Sequence, residues 1–365
     1  MRNLYRSPKA AVTGALALGL LCQGSDARAA CADRTKDVSN DLALECLIGP
    51  RRAKESSDPT LREQTMYRTL ISELSAVMAL PVLEPADSVG FSGFHFSFDV
   101  TGTTIKSDRP YWGGYPQADG TKSQAGVRNV SGNILGLATL MVRKGIWPFV
   151  IPIGAELGLG ASNLLQSNLF ALQGYFKLAF HEGYHDIPVP SIAARASVTR
   201  IAGAPQLDLT MINVDGVMSK AFGIGGTWTL EPYLGGGAMF SIARSQVIDT
   251  APTIDLYRLS PGVTMVDALN QKVVYPTQDN IMRWRLFAGI NAHYAILSIT
   301  GYFSYWGVGA DNGFDLTSIP AAADLRPAAN AAPACRANAT TMEKICPKDL
   351  AADQFTFGGS LGLRF

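Results

Sequence analysis

Hydrophobic and polar residues alternate along most of the chain from residue 89 onward. In the first alternating segment, the apolar residues Phe94, Phe96, Phe98 and Val100 are interleaved with His95, Ser97, Asp99 and Thr101. Successive side chains of a β-strand point to opposite faces of the sheet, so the pattern predicts strands with one apolar and one polar face. We predict ten strands, near residues 90–104, 132–143, 147–160, 168–180, 189–201, 206–226, 229–243, 281–293, 296–306 and 355–365.

Such strands suit either a soluble β-sandwich or a membrane β-barrel, because apolar and polar residues alternate along the strands of both folds. Two features favour the barrel. Long polar connections near 105–130, 244–280 and 306–354 contrast with short ones near 144–147, 227–230 and 293–295, as in barrels with long outer loops and tight periplasmic turns. Aromatic residues also gather near strand ends, as interfacial girdles require. They are Trp147, Tyr184, Trp228, Tyr233, Tyr294, Tyr305 and Trp306.

The predicted fold is therefore an all-β membrane protein, an antiparallel transmembrane β-barrel of ten strands. Twelve strands are the alternative, with a further hairpin in residues 244–280. The sixth strand is irregular, because its apolar positions change from odd (Leu207, Leu209, Met211) to even (Phe222, Ile224). We expect a bulge or an extra turn across residues 213–216.

The end of the chain supports the same architecture. Its last eleven residues, FTFGGSLGLRF, place Phe355, Phe357, Leu361, Leu363 and Phe365 on one face. This segment resembles the closing strand of bacterial outer-membrane β-barrel proteins, and residues 232–237 (PYLGGG) resemble a strand of the small OmpA-like and porin-like barrels. The resemblance covers residues 89–365. It implies an outer-membrane location, contact with membrane lipid, and a role for Phe365 in the signal that the barrel-assembly machinery recognises.

The first 88 residues differ from the barrel region. Residues 1–29 have a basic start, an apolar core of twelve residues and an Ala27-Arg28-Ala29 cleavage pattern, which predicts an exported chain with a removed signal peptide. A retained membrane anchor is the alternative. In residues 30–88, apolar positions recur with helical spacing between residues 60 and 80. We predict one helix in a segment that either lies in the periplasm, where it could meet a periplasmic partner, or plugs the barrel.

Charge and hydropathy exclude other classes of protein. Lys and Arg number 31 against 30 Asp and Glu, and basic residues form no long tract, so nucleic acid is not an expected partner. After the signal segment, no run of 18 or more apolar residues occurs, which argues against a helical membrane protein.

Four cysteines remain after the signal segment, an even number that fits disulfides in an exported chain. The pairs Cys31–Cys46 and Cys335–Cys346 are favoured because they close short loops, although the sequence allows three connectivities. The second pair would staple the tip of the long connection at 306–354, a candidate site for an extracellular partner.

The polar face of the predicted strands should line the lumen. Its charged residues are Asp99, Glu156, Lys177, Arg195, Arg283 and Arg285. A barrel of about eight strands is filled by its own side chains, whereas an open aqueous channel needs about sixteen. We therefore predict a structural or scaffold role, or at most a narrow pore.

Two patterns raise the alternative of an envelope enzyme. The sequence His181-Glu182-Gly183-Tyr184-His185 spells H-E-x-x-H, which binds zinc when a helix aligns the two histidines. On a strand those histidines would stand about 13 Å apart, and alternation on both sides favours a turn. His95 and Ser97 resemble the H-x-S pair of outer-membrane lipid deacylases, but polar lumen lining is the preferred interpretation. We predict no enzyme activity, catalytic residue, metal or cofactor.

Overall fold

A computed structural model describes residues 42, 44–48, 61–113, 132–146, 153–183, 189–249, 272–308, 336–337, 344–345 and 349–365. Ten long antiparallel strands, numbered β1 to β10 here, form a closed ring. They are Phe94–Thr104, Ile134–Ile146, Gly154–Leu164, Phe170–His181, Ser191–Ala202, Leu207–Ser219, Trp228–Ser245, Gln278–Tyr294, Leu297–Val308 and Gln354–Arg364. The prediction of a ten-stranded barrel is confirmed.

The ring closes where β10 pairs with β1. The N–H of Phe94 donates to the carbonyl of Phe365, and the N–H of Phe365 donates back to Phe94. A short strand, Phe222–Ile224, pairs only with the start of β7. In the region proposed for a further hairpin, Ile248–Asp249 pairs with Lys272–Val273. These two short strands form a separate sheet and do not belong to the ring.

Side chains alternate between an apolar outer surface and a buried lumen. Phe96 and Phe98 on β1 are exposed, whereas Ser97 and Asp99 between them are buried. The exposed apolar residues recur around the ring, for example Leu159 on β3 and Leu286 on β8. The alternation predicted from the sequence therefore separates the two faces of the barrel wall, because the pleat of a strand imposes a period of two.

The connections differ in length at the two ends of the barrel. Those between β1 and β2, β7 and β8, and β9 and β10 are long and lie at one end, which we call the loop end. The connection between β8 and β9 consists of Ala295 and Ile296 and lies at the opposite, turn end. Ala295 has a φ of 51° there, a left-handed conformation that a two-residue hairpin requires.

The predicted irregularity in the sixth strand was placed wrongly. The register of β6 against β7 runs without a break from Leu207 to Ser219, where the strand ends. Leu207, Leu209 and Met211 face the lumen rather than the outside, and all three are buried. They can be apolar there because the lumen at the loop end is filled by an apolar helix.

That helix, α1 (Leu61–Met78), lies inside the barrel at the loop end. Its predicted apolar stripe, including Leu70, Ile71 and Leu74, is fully buried in one cluster with the inward residues of the wall. Thr65 and Ser75 on its polar side are also fully buried. The wall surrounds the helix on all sides, so its polar side is shielded from water as well. Among the described residues, no helix combines the length and hydropathy needed to cross a membrane.

Two of the aromatic residues assigned to the girdles point inward instead. Tyr233 on β7 is only 3% exposed and Trp306 on β9 only 2%. Trp228 and Tyr294, in contrast, are exposed, and their rings pack at a tilt with centroids 4.8 Å apart at the turn end. Aromatic residues near strand ends thus lie on both faces of the wall. Their closeness to a strand end does not show which face they occupy. Trp147 and Tyr184 lie outside the described residues.

Candidate functional site

After α1 the chain continues through the lumen as an extended segment, residues 79–88, here called the lumen segment. It contains Pro81 and Pro85, which hold the preceding residues extended and carry no N–H group. Side chains of the wall satisfy its carbonyl groups. Arg195 donates to the carbonyls of Leu80 at 3.3 Å and Pro81 at 3.1 Å, and Arg285 donates to Leu80 at 3.0 Å.

Further along the lumen segment, the Tyr233 hydroxyl donates to the Val82 carbonyl at 2.8 Å. Lys177 donates to the carbonyl of Asp87 at 3.0 Å. The N–H of Ala86 donates to the Ser219 hydroxyl at 3.1 Å. Buried backbone groups require partners, and side chains of the wall supply them here. The wall therefore binds the backbone of the lumen segment.

Eight ionisable groups meet in the middle of the lumen and form what we call the central charge cluster. They are the acids Glu84, Asp99, Glu156 and Asp215 and the bases Arg143, Lys177, Arg195 and Arg285. All eight are nearly inaccessible to solvent. Seven lie on the wall, and Glu84 comes from the lumen segment. The formal charge balances only when Glu84 is included, which fits the expense of burying an unpaired charge.

Glu84 contacts three of the four bases. Its Oε2 lies 3.4 Å from the Lys177 Nζ and 3.5 Å from the Arg143 Nε, and its Oε1 lies 3.7 Å from an Nη of Arg195. The Tyr175 hydroxyl, which also contacts Glu156, lies 2.8 Å from Glu84 Oε2. One carboxylate of the lumen segment thus joins strands β2, β4 and β5.

Asp215 forms the second centre of the cluster. Arg285 binds it through two hydrogen bonds, Nε to Oδ1 at 2.8 Å and Nη2 to Oδ2 at 2.6 Å. Arg195 approaches the same Oδ2 to 3.3 Å. The two arginines that hold the Leu80 carbonyl are therefore oriented by one carboxylate, in the two-pronged geometry that gives strong, directional pairs.

All six charged residues assigned to the lumen lie inside the barrel with at most 2% exposure; they are Asp99, Glu156, Lys177, Arg195, Arg283 and Arg285. Five belong to the central charge cluster. Arg283 lies nearer the loop end, where it donates to the carbonyls of Ser72 at 3.3 Å and Ala352 at 2.9 Å.

Sequence reasoning missed three members of the cluster. Arg143 alternates with outward Leu140 and Val142 on β2, so the period of two could have identified it. Asp215 was missed because the inward-facing positions of β6 were assigned wrongly. Glu84 has no periodic signal, since the lumen segment is irregular.

The loop end of the lumen has its own buried carboxylate. Glu73 of α1 accepts hydrogen bonds from the Tyr111 hydroxyl at 2.7 Å and the Trp112 indole N–H at 2.6 Å. Both donors belong to a short helix, α2 (Pro110–Gly113), in the connection after β1. Burial and the neighbouring Glu73 carboxylate raise the pKa of the Tyr111 hydroxyl, so this hydroxyl stays protonated and donates to Glu73.

The described part of the H-E-x-x-H sequence forms the end of a strand and the start of a turn. His181 is the last residue of β4, Glu182 accepts the N–H of Ser88 at 2.8 Å, and the Gly183 N–H donates to Ser191 at 2.9 Å. His185 lies outside the described residues. Within those that are described, no three His, Cys, Asp or Glu side chains come together as a metal site.

His95 and Ser97 both face the lumen. The His95 Nδ1 lies 2.8 Å from an Nη of Arg143. Within the described part of the chain, neither the His95 Nε2 nor the Ser97 hydroxyl has a hydrogen-bond partner. The two side chains therefore do not form the direct hydrogen bond that would mark them as a base and a nucleophile.

The predicted disulfides cannot be located directly, because Cys31, Cys335 and Cys346 and the side chain of Cys46 lie outside the described residues. A short antiparallel pairing does join Arg336 to Ile345. These residues are the sequence neighbours of Cys335 and Cys346.

Gly158 on β3 makes room for the buried ring of Tyr175. The two residues are directly paired, and a Cβ at position 158 would overlap the tyrosine ring. We expect Gly158→Ala to lower the free energy of unfolding by about 1–3 kcal/mol through overpacking. Gly174→Ala is the matched control, because a Cβ added there would lie 3.4 Å from its nearest neighbour, Leu159, which is an ordinary van der Waals distance. Urea unfolding of both variants in detergent tests this, and equal stability would contradict it.

No protein-family model matches the sequence, and no curated protein matches it. Solved structures do show similarity. Ail, the attachment invasion locus protein of Yersinia pestis, is 9% identical, with 76% of this chain and 100% of that chain covered and a TM-score of 0.23. Neisserial surface protein A is 9% identical, with 74% and 95% covered and a TM-score of 0.23.

The transport unit of the autotransporter AIDA-I from Escherichia coli is 8% identical, with 83% of this chain and 98% of that chain covered and a TM-score of 0.29. The strand pairing and burial of this chain define its architecture independently of those structures. The described part of the chain forms a closed ten-stranded antiparallel β-barrel around the helix α1, and its fold resembles the barrels of the bacterial outer membrane.

Proposed function

We propose that this protein is a structural barrel of the bacterial outer membrane, closed by its own N-terminal segment and not used as an open pore. The observation that carries this proposal is the binding of the lumen segment by the wall. Arg195, Arg285, Lys177 and Tyr233 all donate to its backbone carbonyls. These side chains line the buried lumen, and their donors are occupied by polypeptide.

The outer surface supports the membrane location. Large apolar side chains, among them Phe98, Leu159, Leu172 and Leu286, are exposed all around the ring. A soluble protein rarely exposes so continuous an apolar surface, whereas a membrane barrel requires an apolar band against lipid. The long connections at the loop end then face the outside of the cell, and the tight turns face the periplasm.

The loops at the loop end are the surface that a scaffold would offer. The connection between β9 and β10 contains the short pairing of Arg336 with Ile345, and residues 306–354 are our candidate site for an extracellular partner. We propose no enzymatic role, because His95 and Ser97 are not joined and the start of the H-E-x-x-H sequence belongs to a strand and a turn.

Planar-bilayer recording of the folded full-length protein tests the closed state. We expect no stable conductance steps, because α1 and the lumen segment fill the barrel, while an open porin in the same membrane serves as the positive control. Folding is verified by the faster gel migration of the unboiled sample. Stable, ohmic steps from protein that passes this check would show that the lumen conducts and would refute the proposal.

A further inference from the structure

The part of the chain before β1 has a defined direction through the barrel. At its start, a 3₁₀ helix (Leu44–Leu47) lies at the loop end, where the Leu44 N–H donates to Gln206 at 2.9 Å. Gln206 belongs to the tight connection between β5 and β6 at that end. Leu44 and Leu47 are fully buried in the apolar cluster that contains α1.

Helix α1 is fixed at the same end. Arg68 donates to Gln278 at 2.8 Å and to Asn280 at 2.6 Å, both in the first residues of β8. The N–H of Leu350, from the connection before β10, donates to the Thr69 hydroxyl at 3.0 Å. All three partners lie at or beyond strand termini of the loop end.

The lumen segment then ends at the opposite side of the barrel. The Ser88 carbonyl accepts a hydrogen bond from Arg364 at 2.8 Å, at the last residue of β10. Two residues further on, the Gly90 carbonyl accepts the N–H of Gly93, and β1 begins at Phe94. The chain therefore runs through the whole barrel from the loop end to the turn end before it forms the first strand.

We propose that the chain enters the barrel from the cell surface, so that the residues before Leu42 are displayed there and the chain crosses the membrane once through its own lumen. This rests on the orientation given by the proposed function. Residues 30–60 include Arg51, Arg52, Lys54 and Glu55, whose charges need water or paired partners. A surface location supplies water for these charges.

The competing arrangement places the residues before Leu42 in the periplasm, available to a periplasmic partner. It would require the chain to return from the loop end to the turn end, although α1 and the lumen segment already occupy the lumen. The two arrangements predict opposite accessibility for the same residues.

Epitope insertion at three positions distinguishes the arrangements. One tag follows Asp37, one follows Ala322 between β9 and β10, and one follows Asp186 between β4 and β5. Each variant is first checked for the gel-mobility difference between boiled and unboiled samples, and is then exposed to antibody in intact and in permeabilised cells. We expect the Asp37 and Ala322 tags to be labelled in intact cells, and the Asp186 tag to be labelled only after permeabilisation.

The pattern of labelling separates the two proposals. If the Ala322 tag is labelled in intact cells and the Asp37 tag is not, the orientation stands and surface display of the N-terminal segment is wrong. If the Asp186 tag is labelled in intact cells and the Ala322 tag is not, the orientation itself is wrong. The proposal of surface display is then wrong as well.

Discussion

Glu84→Gln is expected to lower the free energy of unfolding by about 3–5 kcal/mol, the usual cost of removing one partner from a buried ion pair. Glutamine preserves the shape of the side chain and removes its charge. The central charge cluster would then hold four bases against three acids in a site closed to solvent. Lys177, Arg143 and Arg195 would all lose attraction at once, so little of the loss can be recovered by local rearrangement.

Urea unfolding in detergent micelles, followed by tryptophan fluorescence, measures this loss, and the chain has 5 tryptophans. Asp208→Asn is the matched control. Asp208 pairs with Arg200 at 2.9 Å on the surface, with side chains 33% and 66% exposed, and such a pair contributes less than about 1 kcal/mol. An equal loss of stability in both variants would mean that burial of the cluster is not what makes Glu84 important.

The barrel could be predicted because the pleat acts on every strand in the same way. Phe96 and Phe98 lie on the apolar outer face, and Ser97 and Asp99 between them face inward. That rule assumes a polar lumen. It failed at Leu207 and Leu209, where the lumen is filled by α1 and the inward positions are apolar as well.

The site was harder to predict than the wall. Lys177 and Arg195 could be assigned to the lumen from alternation alone, but their partners could not be. Glu84 lies in a segment with no period, and it meets Arg195 across 111 residues of sequence only because the chain passes through the closed barrel. Contacts of that kind depend on the path of an irregular segment, for which hydrophobic patterning provides no constraint.

Asp215→Asn is expected to destabilise the barrel by about 3–5 kcal/mol as well, since it leaves Arg285 and Arg195 facing a neutral group. Arg285→Met alone should also be destabilising, because it leaves an excess of acid in the cluster and removes a donor to the Leu80 carbonyl. Urea unfolding of both single variants and of the double variant completes a mutant cycle.

The double variant distinguishes charge from packing. Removing Asp215 and Arg285 together restores three bases against three acids, so it should be more stable than Asp215→Asn alone, with a coupling energy of roughly 2–3 kcal/mol. If the two losses simply add, each residue contributes through its own packing and the balance of charge in the lumen is unimportant. A coupling energy of this size would instead show that Asp215 and Arg285 stabilise the barrel as a charge pair, while Arg195, released from Asp215, would still be held by Glu84.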